Sequence, residues 1–261
     1  MKRAPTIRPH PLYNKRPRSL PNVSLARALS KLGVTSRKQA RELIRVGRVT
    51  VNGKILTNPE VRVHPEDETI TVDGKAVARH RRLYIMMNKP AGTVTTRSDE
   101  RGRPTVYDLL KDKDRWLFPV GRLDQDSRGL LLFTNDTQWA NALTDPGSKV
   151  PKVYAVRLDR EMSDEDMERF RPGLILDDGY QTLPAKIKRL PRADGHWVEV
   201  TITEGKNRQV RRMMTALGYK VETLIRTRIG SVALSGLGEG AVRPLTPQEA
   251  DALRMKTSRS P

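Results

Sequence analysis

No cysteine occurs among the 261 residues. Disulfides, thiolate metal sites and cysteine nucleophiles are therefore excluded. Histidine is scarce: His10, His64, His80 and His196 are all there is, and no two stand at metal-ligand spacing. A Walker-type phosphate loop is missing. Gly236-Leu237-Gly238-Glu239-Gly240 is glycine-rich, but no helical pattern follows it, so it reads as a loop. No apolar run approaches the ~20 residues of a membrane span, so no membrane role is expected. Residues 1–20 are basic and lack the apolar stretch of a secretory signal. Their prolines and aperiodic pattern speak against an organelle transit peptide, and the expected location is cytoplasmic. No heptad or long exposed apolar segment is present, which favours a monomer. Acid is missing from one end. Residues 1–50 hold thirteen Lys/Arg against the single Glu42, so they carry twelve of the nineteen net positive charges. Such a balance calls for a polyanion, because cations gain free energy by releasing counterions from phosphates.

The length suggests about two domains. Residues 1–20, proline-rich and cationic, read as a disordered basic arm. Residues 21–80 read as one small module. Ser24 opens a short helix that stops at Gly33. Ser36-Arg37-Lys38-Gln39 is a capping box for a second helix with the apolar face Ala40, Leu43 and Ile44, ending at Gly47. Asn52-Gly53 and Asp73-Gly74 sit between strand-like segments and predict two hairpins. Arg37, Lys38, Arg41, Arg45 and Arg48 fall on the exposed side and end of the second helix. The run SRKQARELIRVGRVTVNG, Ser36 to Gly53, resembles the αL-type RNA-binding module first named from a ribosomal small-subunit protein. That resemblance implies that these five cations lie against structured RNA.

His80-Arg81-Arg82 is a basic linker. Residues 83–255 then read as α+β, with a mixed, mostly antiparallel sheet, and 256–261 as a tail. Tyr84 to Met87 is a buried strand, Asn88 to Gly92 a turn, and Thr93 to Thr96 extended. Thr105 to Leu110 reads as a short helix. Leu130 to Thr134 is a core strand, and Asn135 or Asp136 caps the next helix. Val153 to Leu158 alternates. Ser163 caps a helix through Phe170, and two alternating strands follow at Ala185 to Leu190 and Trp197 to Thr203. Asn207 to Leu217 is a basic helix, Lys220 to Arg226 and Ile229 to Leu234 are strands, and Thr246 to Glu249 is a capping box for a helix through Arg254.

Gly121 to Asp136, GRLDQDSRGLLLFTND, is the most informative stretch. A Gly-Arg-Leu-Asp turn presents one carboxylate just before a buried strand, which fixes its backbone, and the glycine is expected to let a substrate approach closely. Together with Glu204 to Met213, EGKNRQVRRM, and the weaker Lys152-Val153-Tyr154, it resembles the rRNA pseudouridine synthases of the RsuA/RluB type. The resemblance covers nearly all of residues 83–255. Thr137, where the family often has glycine, and Pro151, where a polar or acidic residue is usual, depart from its pattern. By that resemblance Asp124 is the catalytic carboxylate and Arg211 its basic partner. Tyr154 stacks on the target base, and Arg122 fills the space left by the extruded nucleotide. Arg208 and Arg212 are phosphate contacts. The reaction has no redox step, so neither cofactor nor metal is expected. A base within a helix cannot be reached, so the nucleotide must be flipped out.

The resemblance implies site-specific isomerisation of uridine in ribosomal RNA, free or partly assembled into a subunit, with the large subunit favoured by Thr105 to Leu110. The alternatives are a small-subunit target, or a non-catalytic rRNA-binding assembly factor that uses the first module alone.

Overall fold

The computed structural model describes residues 22–65, 67–77, 82–110 and 117–257. The basic arm, most of the linker and residues 258–261 lie outside them. The chain divides into two compact units, 1–79 and 80–261.

In the first unit β1 (Val23–Ser24) leads straight into α1 (Leu25–Lys31), and α2 (Arg37–Arg45) follows. The capping box at Ser36 forms in full: Ser36 accepts from the Gln39 amide, and the Gln39 side chain accepts from the Ser36 amide. β2 (Val49–Val51) turns through Asn52-Gly53 into β3 (Lys54–Ile55). β4 (Arg62–Val63) pairs back to β1, a pairing too short to leave a pattern in the sequence. β5 (Ile70–Val72) turns through Asp73-Gly74 into β6 (Lys75–Ala76). Both hairpin turns hold two residues at positive φ, as their Asn-Gly and Asp-Gly pairs require. Leu25, Leu29, Ala40, Ile44, Val49 and Ile70 fill the core between the helices and this sheet.

The second unit is built on one sheet. Its elements are β7 (Tyr84–Lys89), β8 (Phe118–Val120), β9 (Arg128–Thr134), α3 (Thr137–Thr144), β10 (Lys152–Leu158), α4 (Asp164–Phe170), β11 (Lys186–Arg189), β12 (Trp197–Ile202), α5 (Gln209–Ala216), β13 (Val221–Ile229), β14 (Val232–Ala233), β15 (Val242–Pro244) and α6 (Pro247–Thr257). The strand order is β11-β12-β10-β13-β9-β7-β15, with β8 beside β9 and β14 beside β13. Every pairing is antiparallel except β13 with β9, where Ile225 meets Arg128 and Arg226 meets Gly129. The fold is α+β with a mixed, mostly antiparallel sheet.

β9 is buried on both faces, which its unbroken Leu-Leu-Leu-Phe run requires. Leu131 and Phe133 join Met167, Phe170, Val210 and Met213 of α4 and α5. Leu130 and Leu132 join Trp139, Leu143, Ala250 and Leu253 of α3 and α6. Each such side chain contributes about 1.5–3 kcal/mol on burial, so the strand that follows the Asp124 turn is firmly held.

Several expectations need correcting. β7 runs on through Asn88 and Lys89, so the turn begins only at Pro90. Thr93 to Thr96 forms no strand, only a bridge from Val94 to Thr105. Thr105 to Leu110 is a set of turns, not a helix. The Val106 amide donates to Val94, and the Asp108 carboxylate takes the Thr105 amide, so local helical bonding is displaced. Val153 to Leu158 does not alternate, because its sheet position buries both faces. β13 is one strand through Ile229, not two segments broken before it. Of the two caps expected for α3, Asp136 is the one used, accepting from the Gln138 and Trp139 amides at 3.1 and 3.2 Å. Helix α6 continues past Arg254 to Thr257.

Candidate active site

The turn bearing Asp124 joins β8 to β9. Gly121 opens it at φ +75°, a conformation side chains resist. A Cβ there would meet nothing nearer than Thr144 at 3.9 Å. This glycine therefore serves the backbone conformation, and no packing within the protein requires it there. Close packing of backbone on backbone is needed at Gly129, where φ is +102° and a Cβ would fall 2.3 Å from the Arg226 carbonyl oxygen.

Each carbonyl from Arg122 to Ser127 accepts a hydrogen bond. Thr95 Oγ1 donates to Leu123 at 2.7 Å, and the Leu123 amide returns to the same hydroxyl. The Ser127 amide donates to Asp124, and the Gly92 amide to Gln125. The other donors are cations. Lys89 Nζ reaches the carbonyls of Ser127 at 2.8 Å, Pro90 at 2.9 Å and Gln125 at 3.4 Å. Arg211 Nη2 reaches Asp126 at 3.3 Å, and Arg226 Nη1 reaches Arg122 at 3.5 Å. A turn with its carbonyls satisfied from so many elements is a rigid mount for one carboxylate.

Asp124 itself is 34 % exposed at the side chain, and its nearest cation is Arg208, whose Nη1 stands 3.6 Å from Oδ2. Arg208 lies just outside α5, at φ +48°, and also meets Asp126 at 3.2 Å. Arg211, expected beside Asp124, forms its ion pair with Asp126 at 3.2 Å instead. Its other amine donates to the Val221 carbonyl at 3.0 Å. Burial lowers the Arg211 pKa, with Arg208 acting in the same sense and Asp126 and Asp124 opposing. The reason for the exchange lies in where α5 begins. Buried Glu204 accepts from Tyr180 Oη at 2.7 Å, the Leu183 amide at 2.8 Å and the Gln209 side chain. These bonds hold residues 204–208 in a turn, so the helix starts at Gln209 rather than Asn207, and Arg208 is left to face the carboxylates.

Tyr154 is buried in β10, and its hydroxyl makes no hydrogen bond among the described residues. It is linked to the Asp124 turn through the sheet: Tyr154 pairs with Arg226, and Arg226 with Gly129. Arg122 is exposed. Arg212 is engaged by Asp177, at 2.6 Å from Nε, and by Asp178, and so ties α5 to the 171–185 segment. In the first unit Arg37 and Lys38 are exposed, with no carboxylate partner among the described residues. Arg41 meets Glu60 at 2.9 Å, Arg45 meets Glu42 at 3.0 Å, and Arg48 meets Asp73 at 2.6 Å.

An open cleft of about 610 Å³ adjoins the carboxylates, lined by Gly92, Gln125, Asp126, Arg128, Arg208 and Thr223 among others. Neither Asp124 nor Tyr154 is in its lining. The volume is in the range of small-ligand sites. No cluster of three or more metal-ligating side chains exists among the described residues.

Sequence reasoning missed Lys89, Asp126 and Arg226. Asp126 was visible as the second acid of Asp-Gln-Asp. Arg226 was visible as a lone charge inside Leu224-Ile225-Arg226-Thr227, a strand position that is otherwise apolar. Lys89 left no signal, since Lys-Pro reads as an ordinary turn.

Residues 83–216 match the family described as RNA pseudouridylate synthase, and residues 24–68 match the S4 domain. The chain is 39 % identical over 233 residues to ribosomal large subunit pseudouridine synthase B of Bacillus subtilis (strain 168), covering 88 % of this chain and 95 % of that protein. An uncharacterized RNA pseudouridine synthase of Aquifex aeolicus (strain VF5) is 39 % identical, with 87 % and 92 % covered. A crystal structure of a pseudouridylate synthase superposes with a TM-score of 0.65 at 33 % identity, covering 88 % of this chain and 99 % of that one. The chain belongs to the RNA pseudouridylate synthase family, with an S4 domain ahead of the synthase domain.

Proposed function

We propose that this protein isomerises a specific uridine to pseudouridine in large-subunit ribosomal RNA, as a cytoplasmic monomer. Asp124 is the catalytic group. It attacks C1′ directly or assists removal of the C2′ proton, and in either case the C1′–N1 bond breaks. The base turns, and C5 bonds to C1′ as the carboxylate–C1′ bond breaks or as the proton returns to C2′; the C5 proton is then lost and N1 gains one, so no redox partner is required. Arg208 and Arg211, acting on Asp124 and Asp126, hold the carboxylate pair in place. Tyr154 takes the uracil ring, and Arg122 occupies the vacated stack. Flipping costs a few kcal/mol of unstacking, offset by phosphate contacts of the S4 domain through Arg37, Lys38, Arg41, Arg45 and Arg48. Arg212, already held by two carboxylates, serves the synthase domain internally.

The observation that carries this reading is a partly exposed carboxylate on a turn whose six carbonyls are all bonded, beside the Arg208 guanidinium and two residues from Asp126, which pairs with Arg208 and Arg211 and lines an open cleft. The relative from Bacillus, named for the large subunit, supports the choice of RNA. The test is carbodiimide mapping of pseudouridine in total rRNA from cells with and without the gene. One large-subunit site should vanish, and return with the wild type but not with Asp124→Asn. A lost small-subunit site would move the target, and an unchanged map would leave a non-catalytic rRNA-binding role.

A further inference from the structure

Arg226 is a buried guanidinium to which the reaction steps above give no part. It is 4 % exposed. It lies where β13 is flanked on one side by β10, at Tyr154, and on the other by β9, at Gly129. Its Nε donates to the Leu130 carbonyl at 2.7 Å, and its Nη1 reaches the Arg122 carbonyl at 3.5 Å. These two carbonyls stand on opposite sides of Asp124 in the chain. One rigid fork thus ties the start of the turn to the strand that follows it.

The charge is unexplained by stability. Arg226 has no carboxylate within ion-pair distance among the described residues. The cations near it are Lys89 and Lys152; burial lowers the pKa of each, and Arg226 acts in the same sense. An unpaired buried charge among like charges is costly, and a neutral donor would satisfy one carbonyl at less cost. Its Nη2 is buried and without a partner. The described residues hold three such orphaned side-chain atoms: Arg226 Nη2, Arg211 Nε and Ser127 Oγ. Ser127 belongs to the Asp124 turn, and both arginines donate to its carbonyls. Unsatisfied groups concentrated in one place mark a site where geometry is kept at the expense of stability.

We propose that Arg226 is a positioning residue for the isomerisation: its fork across the Arg122 and Leu130 carbonyls sets the Asp124 turn relative to Tyr154. This rests on Asp124 being the catalytic carboxylate. Being buried, Arg226 acts on turnover and not on the capture of RNA.

The experiment follows tritium release from large-subunit and small-subunit rRNA transcripts labelled at uridine C5, with wild type, Asp124→Asn, Arg226→Gln and Arg226→Lys. Folding is checked by circular dichroism. Arg226→Gln should lose about 100-fold in kcat, the scale of a 1 Å misplacement, with KM within threefold. Arg226→Lys, which keeps the charge but not the planar fork, should not restore it. A folded Arg226→Gln protein with wild-type kcat, or with its loss in KM, overturns the proposal. So does full activity in Arg226→Lys. If neither variant folds, the wild type decides by NMR. An Arg226 Nε–H that exchanges far more slowly than surface arginines supports the fork, and one that exchanges equally fast overturns it. No turnover by the wild type on either transcript sinks the synthase reading itself, and this proposal with it. Turnover lost in Asp124→Asn but kept in Arg226→Gln sinks this proposal alone.

Discussion

Arginine and lysine do different work in the two units. In the S4 domain Arg41, Arg45 and Arg48 each meet one carboxylate, yet their side chains stay more than half exposed. In the synthase domain Lys89 is fully buried and Arg211 is 11 % exposed at the side chain. There the partners include backbone carbonyls of the Asp124 turn. A surface pair gains little and is loosened by salt, so a phosphate can replace the carboxylate at small cost. A buried cation bonded to carbonyls cannot be exchanged that way. The first set is suited to gripping an RNA and releasing it, the second to holding a turn still.

The sharpest way to break this contrast is to disturb the packing at the turn. Gly129→Ala would place a methyl group 2.3 Å from the Arg226 carbonyl oxygen at φ +102°. Strain and overpacking together should cost about 4 kcal/mol of stability, read from urea unfolding. Gly121→Ala, at φ +75° but with open space, should cost about 1–2 kcal/mol. Equal losses at the two glycines would show that the β13–β9 junction is not the rigid part of the site.

Lys89 gives the next effect. Burial lowers its pKa to about 8, against Asp126 and Asp124 nearby, while an unfolded lysine titrates near ~10.4. A cation with a depressed folded pKa penalises the fold while it is charged. That penalty is complete below pH 8 and is relieved as pH rises from 8 to about 10.4, where the unfolded chain binds more protons. Wild-type stability should therefore gain on the order of 3 kcal/mol from this group across that window. Lys89→Met should remove that rise, although it also leaves the Ser127 carbonyl without its donor, while Pro90 and Gln125 keep Thr93 Oγ1 and the Gly92 amide. Unfolding curves of the two proteins that stay parallel from pH 7 to 10 would contradict a buried, strained lysine.

The S4 domain was almost wholly legible in the sequence because its structure is set by local chemistry. Ser36 finds Gln39 three residues on, and Asn52-Gly53 and Asp73-Gly74 supply positive φ where hairpins need it. Asp124 was legible too, as an acid set before an apolar strand. What escaped depends on distant partners. Thr105 to Leu110 reads as a short helix, but the Val106 amide answers to Val94, more than ten residues earlier. The start of α5 is decided by Glu204 bonding Tyr180, 24 residues earlier. The turn's buried lysine reaches carbonyls 36 and 38 residues away, and nothing in Asn-Lys-Pro announces that. The identity of the acid was local information, whereas the cations that hold it were not.

The smallest effect on folding is expected in the S4 domain, and it tests the other half of the contrast. Arg41 pairs with Glu60 and Arg45 with Glu42, both across exposed contacts. Replacing both arginines with alanine removes two surface pairs worth about 0.2–1 kcal/mol each at most, with most such pairs near the lower value. Thermal stability should barely move. Binding to the large-subunit rRNA transcript should weaken, and the slope of log K against log salt should shrink by about one for each phosphate that is no longer neutralised. If stability falls as far as it does in Gly129→Ala, these arginines are structural, as in the synthase domain. If the salt slope is unchanged while stability holds, the RNA lies elsewhere on the chain, and the exposed cations are only a solvated face.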